Sequence, residues 1–293
     1  MRPERTSCDP VFTRGHQLFS LSHVFLLLML VSLAHAQPAS KDSASSPLTP
    51  SMNAACNDPS IHPAIKEALR VVCSRPPVNF GDPVGAKPIV VGLLGGFVKR
   101  DNRNHPEVWF ARYLRSHYGP AIRVEIFGNH EWREAADYIA EQVDADKSHS
   151  STGSVQGQAK VILYGHSWGS AQIVILAREL ERRAISVALT IQVDSVRRPG
   201  QNDHTIPANV VEAINYYQTK GLSPGQTTIV AADPQRTKIL GNFRMVYTAH
   251  QINCGNYWWL SRWLNKAHHQ IENDPQVWDR IASLIDAAVH PAQ

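Results

Sequence analysis

Apolar residues along this chain fall into short runs separated by amphipathic stretches. Pro88-Ile89-Val90-Val91-Gly92-Leu93-Leu94 is continuously apolar, as expected of a strand buried on both faces. Pro106 opens a stretch carrying Val108, Trp109, Phe110, Tyr113 and Leu114 at helical spacing. Ala121 to Phe127 predicts a second strand and Trp132 to Val143 a second helix. A Ser- and Gly-rich loop, Ser148 to Gly157, leads to a third strand, Lys160 to Tyr164. The helix after it is expected from Ser170 to Arg183. A fourth strand, Ser186 to Val193, ends at Asp194. Pro207 to Thr219 reads as helical, with Pro207 suited to a first turn. A fifth strand is expected at Phe243 to Thr248. An aromatic-rich helix near Tyr257 to Leu264 and a final one, Pro275 to Ala288, close the chain.

Strand and helix alternate, which implies an α/β fold with a mostly parallel sheet and helices on both faces. In such sheets ligands bind beyond the carboxyl ends of the strands. Reactive side chains just after strands are therefore the ones to examine.

The N-terminal part has a different character. Arg2, Arg5 and Arg14 precede an apolar run, Val24 to Leu33, and Ala34-His35-Ala36 supplies a small-x-small sequence. This is the pattern of a secretory signal cleaved after Ala36, and it predicts an exported protein, periplasmic or extracellular. The run is short for a bilayer span. Residues 37–53 are rich in Ser, Ala and Pro and read as a linker. Residues 54–87 supply one helix, Ile61 to Val72, and a proline-punctuated extended segment. Residues 88–293 form the main domain.

Composition narrows the partners. Of the 293 residues 43% are hydrophobic and 18% charged, which supports a sizeable core, and the net charge of +4 is spread along the chain. Nothing in that spread indicates a nucleic-acid partner. Cys56 and Cys73 flank the expected helix and can meet in an oxidising compartment. Other pairings with Cys254 stay open. No cysteine–histidine spacing matches a zinc site, and the G-x-G-x-x-G pattern of dinucleotide sites is absent. No metal or organic cofactor is implied.

The sharpest motif is Gly165-His166-Ser167-Trp168-Gly169, a G-x-S-x-G sequence between an apolar strand and a helix. Glycines two residues either side of the serine allow strand and helix to approach closely around a strained turn. That turn lifts the serine hydroxyl clear of the sheet and aims a helix N-terminus at it. His166 is expected to pack beside the turn. The segment resembles the nucleophile elbow of the α/β-hydrolase superfamily, nearest to its lipase and esterase branches. The resemblance covers about two-thirds of the chain, from Pro88 onward, and the stretch Arg197 to His204 is expected to form a minimal cap.

The resemblance implies an order of serine, acid, then histidine. Asp194, ending the fourth strand, is the acid candidate, with Asp203 and Asp233 as fallbacks. The base is expected in a loop near the end, where His268 and His269 adjoin. His268 is preferred because Ile271 follows it at the spacing of a residue that docks the next helix. His269 is the alternative base and His250 the third choice. Oxyanion donors are expected from the backbone N–H of Trp168 and of Phe97, in Leu94-Gly95-Gly96-Phe97-Val98, with Gly96 next. Lys99 to His105 reads foremost as a solvated run. Trp258, Trp259 and Trp263 read foremost as core residues at helical spacing.

These residues imply an exported serine hydrolase that cleaves a carboxylic ester through an acyl-enzyme on Ser167. Its substrate is a small-molecule or lipid-like ester, and transient contact with a membrane surface is compatible with that. Two other readings use the same fold: an acyltransferase with the same triad, and a non-catalytic envelope binding protein.

Overall fold

The computed structural model describes residues 55–76, 86–149, 159–248 and 252–290. The expected signal segment, the linker 37–53, most of the Ser/Gly-rich loop and His250 lie outside the described residues.

Six parallel strands form one sheet. They are β1 (Ile89–Leu94), β2 (Arg123–Gly128), β3 (Val161–His166), β4 (Val187–Val193), β6 (Val210–Tyr217) and β8 (Lys238–Arg244). Their spatial order is β2-β1-β3-β4-β6-β8, every pair parallel. Two short strands, β5 (Thr205–Ile206) and β7 (Val230–Ala231), pair beside it. The chain leaves β1 for β2 on one side and returns to β3 on the other. The topological switch point therefore lies between the carboxyl ends of β1 and β3.

The continuous apolar reading of β1 has a simple origin. Ile89, Val91 and Leu93 face one core and Val90 and Leu94 the other, because successive side chains of a strand point to opposite faces. One core is closed by α4 (Trp132–His149) and α5 (Trp168–Arg182), through residues such as Ile139, Ile173 and Leu176. The other is closed by α3 (Pro106–Tyr118) and α8 (Pro275–Val289), through Trp109, Phe110, Trp278 and Ile281. The expected α/β architecture is observed. The segment from Ser195 to His204, which holds the expected cap, carries no helix.

The N-terminal helix is split into α1 (Pro63–Ala68) and α2 (Arg70–Cys73) by the non-helical Leu69. A disulfide joins Cys56 to Cys73, 5.8 Å apart at Cα and 17 residues apart in sequence. Closing a loop of that size contributes about 3 kcal/mol. Arg75 then clasps α8, with its guanidinium on Asp279 at 2.6 Å and on Asp286 at 2.5 Å. Cys254 remains a free thiol.

Three expectations are corrected. Pro207 to Thr219 holds strand β6 rather than a helix. Its Val210-Val211 pair, Ile214 and Tyr216-Tyr217 are β-branched or aromatic residues that favour a pleated, half-buried surface, and Pro207 closes the turn before it by accepting from the Val210 N–H. The last strand spans Lys238–Arg244 rather than Phe243 to Thr248. It is a half-exposed edge strand whose pairing shifts register at Ala213/Ile214, so its apolar signal is weak. The tryptophans of α6 (Trp259–Leu264) and its flank are not core. Trp258, Trp259 and Trp263 are 45%, 61% and 74% exposed, and this six-residue helix buries none of its residues. Among the described residues no helix is long and apolar enough to cross a membrane.

Candidate active site

The site forms at the switch point. β3 ends at His166 and α5 begins at Trp168, so the whole change of direction falls on Ser167, at φ 56° and ψ −123°. A non-glycine residue there is strained and persists only when its surroundings hold it. They do so here: the Ser167 N–H donates to Val193 O at 2.9 Å, and the Val196 N–H donates to Ser167 O at 3.1 Å. Ser170 stitches the turn to β4, accepting from the Val193 N–H at 2.7 Å while its hydroxyl contacts Gly165 O. Gly169 is required sterically, since a Cβ there would overlap the carbonyl of Leu93.

Three side chains meet at this turn. His268 Nε2 lies 3.0 Å from Ser167 Oγ, and His268 Nδ1 lies 2.6 Å from Asp194 Oδ2. Asp194 also accepts from the Gln218 N–H at 3.0 Å and from Gln218 Nε2 at 2.8 Å. All three are buried, Asp194 completely. His268 stands on a helix, α7 (Lys266–Glu272), not in the expected loop. Helix packing holds its ring: Ile271, three residues on, is fully buried in the core that includes Trp278.

The other candidates lie elsewhere. His269 turns away, its Nε2 2.7 Å from Ser261 Oγ and its ring stacked on Tyr257 at 3.8 Å. Asp203 accepts from Ser195 Oγ at 2.6 Å, and Asp233 accepts from the Gln235 N–H in a turn. The Phe97 ring meets Trp168 edge-on at 5.4 Å and is 54% exposed. Gly95 presses against the nucleophile turn: a Cβ there would sit 3.2 Å from Ser167 Cβ and 3.1 Å from His166 O. Parts of the mostly exposed basic run are paired. Arg100 pairs with Glu131 at 2.8 Å and Glu134 at 3.2 Å, and His105 meets Glu272 at 3.0 Å.

Several site neighbours carry no sequence signal. Asn129, just past β2, donates from Nδ2 to Gly96 O. Its Oδ1 accepts from Arg198 at 2.6 Å, and the Arg198 guanidinium lies 4.5 Å over the Trp168 ring. Residues from two loops and the start of α5 thus brace the Gly95-Gly96 turn. Behind Ser167, His166 Nδ1 lies 3.4 Å from Glu272 Oε2. His166, Asp194 and His268, and likewise His105, Glu107 and Glu272, bring polar atoms within 4.8 Å of one another. Several of these atoms are already engaged with one another, and neither set is read as a metal centre.

Burial pushes the His166 imidazole down to about 4 and that of His269 down to about 3. Both are neutral in the fold, whereas unfolded imidazoles titrate near 6.5. Between those values the unfolded chain binds more protons, so stability falls as pH drops below about 6.5 and levels off near the folded values. The melting temperature is expected to fall steadily from pH 7 to pH 4, less steeply in His269→Gln. Thermal unfolding across that range checks this, and a flat profile for the wild type would refute it.

Neither protein-family models nor curated proteins match the chain. Among solved structures it is similar to a candidate hydrolase from Legionella pneumophila subsp. pneumophila, at 15% identity over 40% of this chain and 36% of that one, TM-score 0.27. It is also similar to an acetyl xylan esterase, at 10% identity over 71% of this chain and 100% of that one, TM-score 0.35. A cutinase-like protein from Cryptococcus sp. shares 12% identity over 73% of this chain and all of its own, TM-score 0.36.

Proposed function

We propose that this chain is an exported serine hydrolase that cleaves a carboxylic ester through an acyl-enzyme on Ser167. The observation that carries this reading is the unbroken hydrogen-bonded chain Ser167–His268–Asp194 on a strained turn. A serine hydroxyl is a weak nucleophile until an adjacent base takes its proton, and the base needs an orienting carboxylate. In the first step Ser167 Oγ attacks the ester carbonyl while His268 Nε2 accepts its proton. Asp194 fixes the tautomer through Nδ1 and stabilises the imidazolium. The backbone N–H groups of Trp168 and Phe97 receive the oxyanion, and His268 returns the proton to the leaving alcohol. Water then attacks the acyl-enzyme with His268 as base again, which releases the acid and restores Ser167.

The signal pattern ending at Ala36 and the Cys56–Cys73 disulfide support export, since such bonds persist in oxidising compartments. The exposed Trp258, Trp259 and Trp263 support a lipid-like ester and transient contact with a membrane surface.

The test is labelling with a fluorophosphonate probe beside turnover of p-nitrophenyl esters of increasing chain length. The wild type is expected to label and to turn over, and Ser167→Ala to do neither while melting as the wild type does. A folded wild type that does not label would sink the proposal.

A further inference from the structure

The buried polar cluster behind Ser167 is larger than a serine–histidine–aspartate chain requires. Glu107, in the first turn of α3, and Glu272, the last residue of α7, are both almost completely buried. With His105 they bring polar atoms within 4.8 Å of one another. Two carboxylates this close in a low-dielectric interior do not both ionise.

Their surroundings differ. Glu272 meets His105 Nδ1 at 3.0 Å and His166 Nδ1 at 3.4 Å, with the Tyr257 hydroxyl beside it. Glu107 accepts from the Gly95 N–H at 3.3 Å and has the His166 backbone beside it, but meets no cationic side chain of the kind that faces Glu272. Burial and then the charge of Glu272 push the Glu107 carboxyl well above its ordinary value. Burial acts the same way on Glu272, but His166 and His105 outweigh it and hold that group low. Glu272 is the anion and Glu107 the acid.

The His166 ring lies between this anion and the base. Its Nδ1 faces Glu272, and its ring lies 4.6 Å from that of His268, tilted by 32°. Glu272 also follows His268 by four residues on α7, on the same face of the helix.

We infer that Glu272 is a positioning residue for the base: its carboxylate anchors His166, and His166 backs the ring of His268. This rests on the reading of Ser167 and His268 as nucleophile and base. The groups facing Glu272 are His105 and Glu107 from the start of α3, His166 from β3, Tyr257 and Cys254 from the segment before α6, and His269 on its own helix. Asp194 meets His268 at Nδ1 and lies near His166 as well.

The full chain would be assayed as wild type, Glu272→Gln and Glu107→Gln, following fluorophosphonate labelling rate and kcat/KM against pH. Removing the anion disfavours the charged base. Glu272→Gln is therefore expected to move the acidic limb to lower pH by about one unit. The loosened ring is expected to lower kcat by about tenfold with KM little changed. Glu107→Gln is isosteric with a protonated acid and is expected to leave the acidic limb where it is. A folded Glu272→Gln with the wild-type limb and rate overturns the inference. So does a limb displaced by Glu107→Gln, which also decides the matter where Glu272→Gln does not fold. A wild type that fails to label removes the hydrolase reading and this inference together, whereas a labelling wild type with an indifferent Glu272→Gln removes the inference alone.

Discussion

His268→Ala is expected to lower kcat by about ten-thousandfold or more, whereas His269→Ala stays within about fivefold of wild type per folded molecule. The two histidines adjoin in sequence, and their surroundings separate them. His268 Nε2 is 3.0 Å from the Ser167 hydroxyl, while His269 Nε2 is occupied by Ser261 at 2.7 Å. Burial also holds His269 neutral down to about 3, so it titrates outside the range in which a base switches near neutral pH. Single-turnover kinetics on both variants, with melting temperatures alongside, decide the matter. Equal losses in the two would show that the pair acts through packing. A larger loss in His269→Ala would reverse the assignment.

Asp194→Asn is expected to cost about ten-thousandfold in kcat with little change in fold. The carboxylate sits at φ 47°, in the left-handed region that Asn tolerates as well as Asp. An amide oxygen in the place of Oδ1 can still meet the Gln218 N–H, whereas Gln218 Nε2, which shares Oδ2 with His268, loses its acceptor. What the amide cannot do is accept the Nδ1 proton of His268 while its own NH2 faces that ring, so the imidazole is left in the wrong tautomer. Asp203→Asn is the control. Asp203 is engaged with Ser195 rather than His268, so its variant is expected to retain activity near wild type. An Asp194→Asn enzyme within tenfold of wild type would show that the acid lies elsewhere.

Much of this arrangement was legible in the sequence, for identifiable reasons. β1 and most of β3 are buried on both faces and appear as apolar runs, and β4 is apolar apart from Thr190 and Gln192. G-H-S-W-G stands out because close packing at Gly169 admits no side chain. Asp194 was visible as a charge ending an apolar strand. What was missed depends on tertiary contact. β6 was read as a helix because Pro207 suits a first turn, but pairing with β4 and β8 overrode that local preference. The tryptophans around α6 have helical spacing, yet spacing does not reveal whether anything packs on the face it defines. Asn129, Arg198, Glu107 and Glu272 come from separate segments, and no motif joins them. One weak signal was available for Glu107: a charged residue between Pro106 and Val108 at the start of a helix otherwise rich in core residues.

The proposed triad is assembled across a long reach of chain. The base stands 101 residues after the nucleophile and 74 after the acid. A nascent chain that has made β3, the elbow and β4 therefore carries an unactivated serine. His268 reaches it only when α7 and α8, which follow every described strand of the sheet, dock against it. Acquisition of probe reactivity then serves as a clock for completion of folding. On the proposed reading, a chain in which α7 and α8 had not yet closed onto the sheet would hold Ser167 without its base, and would be inert towards esters.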